Sequence, residues 1–122
     1  MPGKILIVDD EHDIRELLAL RLKAAGYETA FAADAMTAVN VARSEEPQLI
    51  LLDIGLPGGT GIMVMERLRN FPALAHIPVI AISAREPQPT ERAAVEAGAR
   101  AFLPKPIDHE LLLETVRRVL GG

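Results

Sequence analysis

Leu49-Ile50-Leu51-Leu52-Asp53 runs directly into Ile54-Gly55-Leu56-Pro57-Gly58-Gly59. Four apolar residues meet one carboxylate, and a turn rich in Pro and Gly follows at once. An apolar run this short, bounded by turn residues, predicts a strand buried on both faces, the kind found in parallel sheets. Asp53 then stands where the strand stops and the backbone turns toward water. A carboxylate there is either the N-cap of the next helix or a reactive group at a sheet edge.

The flanking sequence repeats the theme. Upstream, Lys4 to Val8 is a second apolar strand and runs into Asp9-Asp10-Glu11. Ile14, Leu17, Leu18, Leu22 and Ala25 then fall on one stripe of an amphipathic helix, stopped by Gly26. Tyr27 to Ala32 reads as an edge strand. Asp34 caps a helix carrying Ala35, Ala38, Val39 and Ala42, which ends before Pro47. Downstream, Thr60 is the candidate N-cap of a helix from Gly61 to Asn70, broken by Phe71-Pro72. Ile77 to Ile82 is a fourth strand leading into Ser83-Ala84. Pro89 suits the first turn of the next helix, closed by Gly98. Ala101-Phe102-Leu103 is a short fifth strand before Pro104-Lys105-Pro106, and Asp108 caps a last helix with Leu112, Val116, Val119 and Leu120 on one face. Strict alternation of strand and helix demands crossover connections, hence a five-stranded parallel α/β sheet, doubly wound, with helices on both faces.

Composition narrows the function. The 122 residues are 49% hydrophobic and 25% charged, ordinary globular usage that fits one domain. A net charge of −4 with no basic run, and aromatics at only 3%, speak against direct nucleic-acid binding. The absence of cysteine excludes disulfides, thiol chemistry and Cys-based zinc sites, and fits a cytoplasmic location. No apolar stretch approaches the ~18 residues of a membrane span, and the N-terminus lacks the apolar core of a signal peptide.

In a parallel sheet the C-terminal strand ends share one edge, where ligands bind. Strand one ends at Asp9-Asp10, strand three at Asp53, strand four at Ser83, and strand five just before Lys105. Taken singly, each has a plainer reading: helix caps for Asp53 and Ser83, a charged first turn for Asp9-Asp10, a solvated charge for Lys105. Their arrival at one edge is what capping leaves unexplained. Unit charges 4 Å apart repel by about 4 kcal/mol at an effective dielectric near 20, so three close carboxylates carry on the order of 10 kcal/mol of repulsion. One lysine cannot cancel that and also face an incoming anion. A hard divalent cation can, and an all-oxygen site with open positions suits Mg²⁺, with Mn²⁺ as a substitute. A dianionic phosphoryl group could then approach Asp53, and carboxylates that form aspartyl phosphate are a known class of nucleophile.

With these residues in hand, the chain resembles a receiver domain of a two-component response regulator, of the chemotaxis-regulator kind, over essentially its whole length. The resemblance is carried by Val8-Asp9-Asp10-Glu11, Leu51-Leu52-Asp53 with Pro57 and Gly61, Ser83-Ala84, Phe102 and Lys105-Pro106, in the family's order and spacing. It implies the strand order 2-1-3-4-5, which periodicity alone does not give. It also implies that Asp53 accepts a phosphoryl group from the phosphohistidine of a histidine kinase or phosphotransfer protein, or from a small phosphodonor. Asp10, Asp53 and the Gly55 backbone carbonyl would contact Mg²⁺ directly and Asp9 through water. Ser83 and Lys105 would bind the phosphoryl oxygens, Ser83 and Phe102 would form the switch, and the Lys105–Pro106 peptide bond would be cis. The surface of helix 4, strand 5 and helix 5 would then engage a downstream protein partner.

Several positions depart from the family pattern. Gly55 removes a side chain that in relatives often screens the acyl phosphate from water, and Arg85 is long and basic; both are expected to tune phosphoryl lifetime. Gly58-Gly59 frees the turn after Asp53, and Ser83 replaces the commoner Thr. The Gly98-Ala99-Arg100-Ala101-Phe102 stretch lacks the paired acids of dimerising receivers, so a monomer or weak dimer is expected. The reading is a single receiver domain over residues 1–122, a phosphoacceptor and not an enzyme. Alternatives are a receiver module excised from a hybrid kinase or transcription regulator, an Asp-nucleophile phosphatase, and a flavin-binding module. The phosphatase wants a second Asp where Gly55 stands, and Asp9-Asp10-Glu11 would repel a flavin phosphate.

Overall fold

The structure, a computed structural model, describes residues 3–55, 61–84 and 87–121, with the side chains of 87–90 outside the description. The expectations placed on Pro57, Gly58, Gly59, Thr60, Arg85 and the Pro89 side chain therefore lie outside the described residues. Strands β1 (Lys4–Val8), β2 (Glu28–Ala32), β3 (Leu49–Asp53), β4 (Val79–Ser83) and β5 (Ala101–Pro104) alternate with helices α1 (His12–Ala24), α2 (Ala35–Glu45), α3 (Gly61–Asn70), α4 (Pro87–Glu96) and α5 (His109–Val119). The sheet is wholly parallel, in the order β2-β1-β3-β4-β5.

Every residue of β3 and β4 is buried, as a strand covered on both faces requires. Alternate side chains feed two cores. One packs Leu6, Val8, Ile50, Leu52, Val79 and Ala81 against buried residues of α2, α3 and α4. The other packs Ile5, Ile7, Leu49, Leu51, Ile80 and Ile82 against Leu18 and Leu22 of α1 and Leu112 and Val116 of α5. Local chemistry sets the ends. Asp34 accepts from Thr37 N at 2.8 Å and Asp108 from Leu111 N at 2.8 Å, the two expected N-caps. Gly26 and Gly98, past the ends of α1 and α4, take φ of 99° and 108°, open to glycine without strain.

Three strand boundaries shift. β4 begins at Val79, not Ile77, because Ile77 N closes a turn onto Leu74 O at 3.1 Å and Pro78 has no N–H for the ladder. β2 starts one residue late, at Glu28, and β5 runs one further, to Pro104. On α1 the buried stripe is narrower than the apolar pattern: Leu18 and Leu22 are enclosed, while Leu17 is 42% exposed and Ala25 lies at the surface.

Candidate functional site

Parallel registry brings the strand ends together. Val8 pairs with Leu52 and Asp53 with Ile82, so Asp9 and Asp53 leave neighbouring strands at the same height. Lys105 N donates to Ser83 O at 2.9 Å, extending the β4–β5 ladder and setting these two residues side by side. Carboxylate oxygens of Asp9, Asp10 and Asp53 lie within 4.8 Å of one another. The Lys105 ammonium reaches across to Asp9 Oδ2 at 2.9 Å, Asp53 Oδ2 at 3.3 Å and Glu11 Oε1 at 3.4 Å.

The three aspartates are held very differently. Asp9 is enclosed and three of its four polar atoms are hydrogen-bonded: N donates to Ala32 O, O accepts from the Arg15 guanidinium at 2.8 Å, and Oδ1 accepts from Glu11 N at 2.9 Å. Its Oδ2 meets only the Lys105 ammonium, and that approach is an ion pair outside hydrogen-bond alignment. Asp10 is exposed at the rim. Asp53 is buried; its Oδ1 accepts from Gly55 N at 3.0 Å and its Oδ2 faces Lys105. The side chain thus turns into the cluster, not onto the start of α3, where Gly61 N donates to Ile54 O.

Burial raises the Asp53 carboxyl above its ordinary range; the Gly55 N–H and the Lys105 charge pull the other way, and Asp9 adds to the rise. Burial would lower the Lys105 ammonium, but Asp9 and Asp53 outweigh it and hold it above its usual value. The donor set is all oxygen, carries more acid than base, and leaves one buried carboxylate oxygen without an aligned donor. Those properties fit a hard divalent cation.

The remaining residues fall around this centre. Ser83 is buried at the end of β4. Phe102 is half-buried on β5 and packs against the core under α2, α3 and α4. Gly55 is exposed, and a Cβ there would stand 3.7 Å from Asp53 Oδ1, overhanging the carboxylate. The Lys105–Pro106 bond is cis. Sequence reasoning gave no role in the site to three contributors, although Gly61 and Glu11 stood among the residues that carry the resemblance. Gly61 has no room for a side chain, since a Cβ would meet Asp53 O at 2.7 Å and Ile54 Cα at 2.8 Å. Arg15 braces the Asp9 carbonyl while its guanidinium lies 5.1 Å from the Phe31 ring centre. Glu11 touches Lys105. A glycine opening a helix was a legible signal; the other two were not. A cavity of about 450 Å³ between Pro47, Leu74 and Ile77 lies at the opposite, N-terminal edge of the sheet.

A doubly wound parallel sheet whose switch-point edge gathers three aspartates and a lysine defines the class as an α/β domain with an acidic ligand site at the carboxyl ends of its strands. The model of the response regulator receiver domain matches residues 5–117, and the chain belongs to that family. It is 39% identical over 117 residues to the response regulator PleD of Caulobacter vibrioides, covering 96% of this chain but 26% of PleD. It is 36% identical to the polar-differentiation response regulator DivK of Brucella anthropi, covering 99% of this chain and 98% of DivK. Among solved structures, the receiver domain of the sensor histidine kinase PA1611 from Pseudomonas aeruginosa superposes with a TM-score of 0.90 at 26% identity, covering 100% of both chains; it holds a magnesium ion in its active site cleft.

Proposed function

We propose that this chain is a phosphoacceptor switch in which Asp53 takes a phosphoryl group from the phosphohistidine of a histidine kinase or phosphotransfer protein, or from a small phosphodonor. The observation that carries this reading is the gathering of Asp9, Asp10 and Asp53 within 4.8 Å, with Lys105 between two of them. Asp10, Asp53 and the Gly55 carbonyl would hold Mg²⁺ or Mn²⁺, with Asp9 reaching it through water. When bound, the ion supplies positive charge that offsets the carboxylates and the incoming phosphoryl oxygens. An Asp53 carboxylate oxygen attacks phosphorus as the donor's P–N or P–O bond breaks, and the bonding pair leaves with the donor group. Lys105 and Ser83 donate hydrogen bonds to the transferred oxygens.

These two charge-assisted contacts are worth roughly 1.5–3 kcal/mol each. Shifting a two-state equilibrium from 1:99 to 99:1 takes about 5.5 kcal/mol, so together they just suffice. Ser83 drawn toward the phosphoryl group leaves space that Phe102 fills, altering the α4–β5–α5 face. Val95 and Leu111, 54% and 42% exposed there, offer apolar contact to a protein partner. No helix among the described residues is long and apolar enough to cross a membrane, and a cytoplasmic location fits a kinase-fed switch.

Residues 1–122 act as one receiver domain. DivK, matched over nearly its whole length, supports a free-standing switch; PleD, matched over a quarter, supports a module of a longer protein. A phosphatase reading is disfavoured because Gly55 offers no second carboxyl. The deciding experiment is intact mass after acetyl phosphate, with and without Mg²⁺, on wild type and Asp53→Asn. One Mg²⁺-dependent, base-labile phosphoryl group that the variant lacks is expected; steady turnover of generic phosphate esters would overturn the reading.

A further inference from the structure

Glu11 occupies the N-cap position of α1, yet its side chain makes no capping hydrogen bond. Its backbone N–H is given to Asp9, and its Oε1 instead lies 3.4 Å from Lys105 Nζ, a contact across 94 residues of sequence. Unlike Asp9, which is enclosed, the Glu11 side chain is 60% exposed at the rim of the acidic cluster, against Lys105. It therefore faces whatever approaches Asp53. The Glu11–Lys105 and Lys105–Asp53 separations of 3.4 and 3.3 Å put Glu11 within roughly 7 Å of Asp53 Oδ2, inside the Debye length of about 8 Å at physiological salt.

We propose that Glu11 selects phosphodonors by charge, repelling dianionic donors at the rim and weakening the pull of Lys105 on them. This role rests on Asp53 being the phosphoacceptor and goes beyond that reading by naming the class of donor admitted. A unit charge at this range and exposure changes an encounter by about three- to tenfold for each unit of donor charge. Acetyl phosphate is dianionic near neutrality: Asp53 forms an O–P bond, the donor's P–O bond breaks, and acetate leaves with the electron pair. Phosphoramidate, protonated on nitrogen, is monoanionic: the O–P bond forms, the P–N bond breaks, and the nitrogen leaves as neutral ammonia. Glu11 thus penalises the first donor more than the second, favouring donors whose leaving group is a nitrogen base.

The test measures phosphorylation rates with both donors at saturating Mg²⁺ and fixed pH for wild type, Glu11→Gln and Glu11→Asp. Glu11→Gln is expected to raise the acetyl phosphate rate about three- to tenfold more than the phosphoramidate rate, an advantage that shrinks in 1 M salt; Glu11→Asp keeps the wild-type ratio. A metal-free check uses urea unfolding in EDTA, where Glu11→Gln and Lys105→Met are expected to be non-additive. An unchanged donor ratio in Glu11→Gln, or strict additivity, overturns the role of Glu11 while leaving Asp53 phosphorylation standing. A wild type that accepts no phosphoryl group from either donor overturns both.

Discussion

Lys105 Nζ stands 3.3 Å from Asp53 Oδ2, yet the Asp53 carboxyl is held above its ordinary range. An opposite charge so close should favour ionisation. Burial outweighs it, and Asp9 competes for the same ammonium at 2.9 Å. The site is an arrangement of charge that folding tolerates and does not seek.

Replacing Asp53 by Asn is therefore expected to stabilise the metal-free fold at neutral pH, by on the order of 1 kcal/mol. The sign follows from linkage. A carboxyl raised on folding contributes stability that is fully present below its unfolded pKa and lost as pH rises through the folded one. The advantage of Asp53→Asn should thus be small near pH 4 and full at pH 7, and Mg²⁺ should narrow it by binding wild type. Urea unfolding at the two pH values, with EDTA or Mg²⁺, measures this. A variant less stable than wild type at pH 7 in EDTA contradicts it.

Lys105 works in the opposite sense. Its side chain is 11% exposed and is the cation facing the enclosed Asp9, so Lys105→Met leaves a buried carboxylate uncompensated. A loss of about 3 kcal/mol is expected in EDTA at pH 7. The Lys105 ammonium is raised on folding, so its contribution is fully present below the unfolded lysine pKa and lost as pH climbs through the folded one. Chemical denaturation from pH 7 into the alkaline range should show the two proteins converge.

Much of this was legible because it is local. Asp34 and Asp108 precede apolar periodicity and cap; Leu49 to Leu52 is too short and too apolar for a surface helix. The edge shared by Asp9, Asp10, Asp53, Ser83 and Lys105 followed from strand polarity alone. Strand order did not, since crossover direction leaves no local mark, and it came only through family resemblance. Ile77 was misassigned because burial and strand membership look alike in an apolar run: it is buried, but in a turn. The Glu11–Lys105 contact and the Arg15 brace are products of folding, and no spacing announces them.

Glu46 carries the described chain's one left-handed backbone at a residue other than glycine, with φ 49° and ψ 56°, at the C-cap of α2. Its N–H still closes the helix onto Ala42 O, so conformation is the cost and not a missing bond. Glu46→Gly removes the clash of Cβ with the following carbonyl and is expected to stabilise by about 0.5–1 kcal/mol. Thermal unfolding reads this as a rise in Tm, with phosphorylation rate unchanged because the position lies at the opposite edge of the sheet.

Two glycines beside Asp53 should respond in opposite ways. At Gly61 an added methyl would press on Asp53 O and Ile54 Cα, backbone atoms that cannot rotate aside. Gly61→Ala must therefore displace the turn after β3, with a loss of about 1–3 kcal/mol and a fall in phosphorylation rate. At Gly55 the nearest atom to an added Cβ is Asp53 Oδ1 at 3.7 Å, ordinary contact, and the residue has no positive φ. Gly55→Asn should fold like wild type. Its side chain would overhang the Asp53 carboxylate and obstruct attacking water, so the phosphoryl group should last longer. Urea unfolding and the phosphorylation rate check Gly61→Ala; decay of the phosphorylated species, followed by intact mass after donor removal, checks Gly55→Asn. Equal decay in wild type and Gly55→Asn would show that water reaches the acyl phosphate by another face.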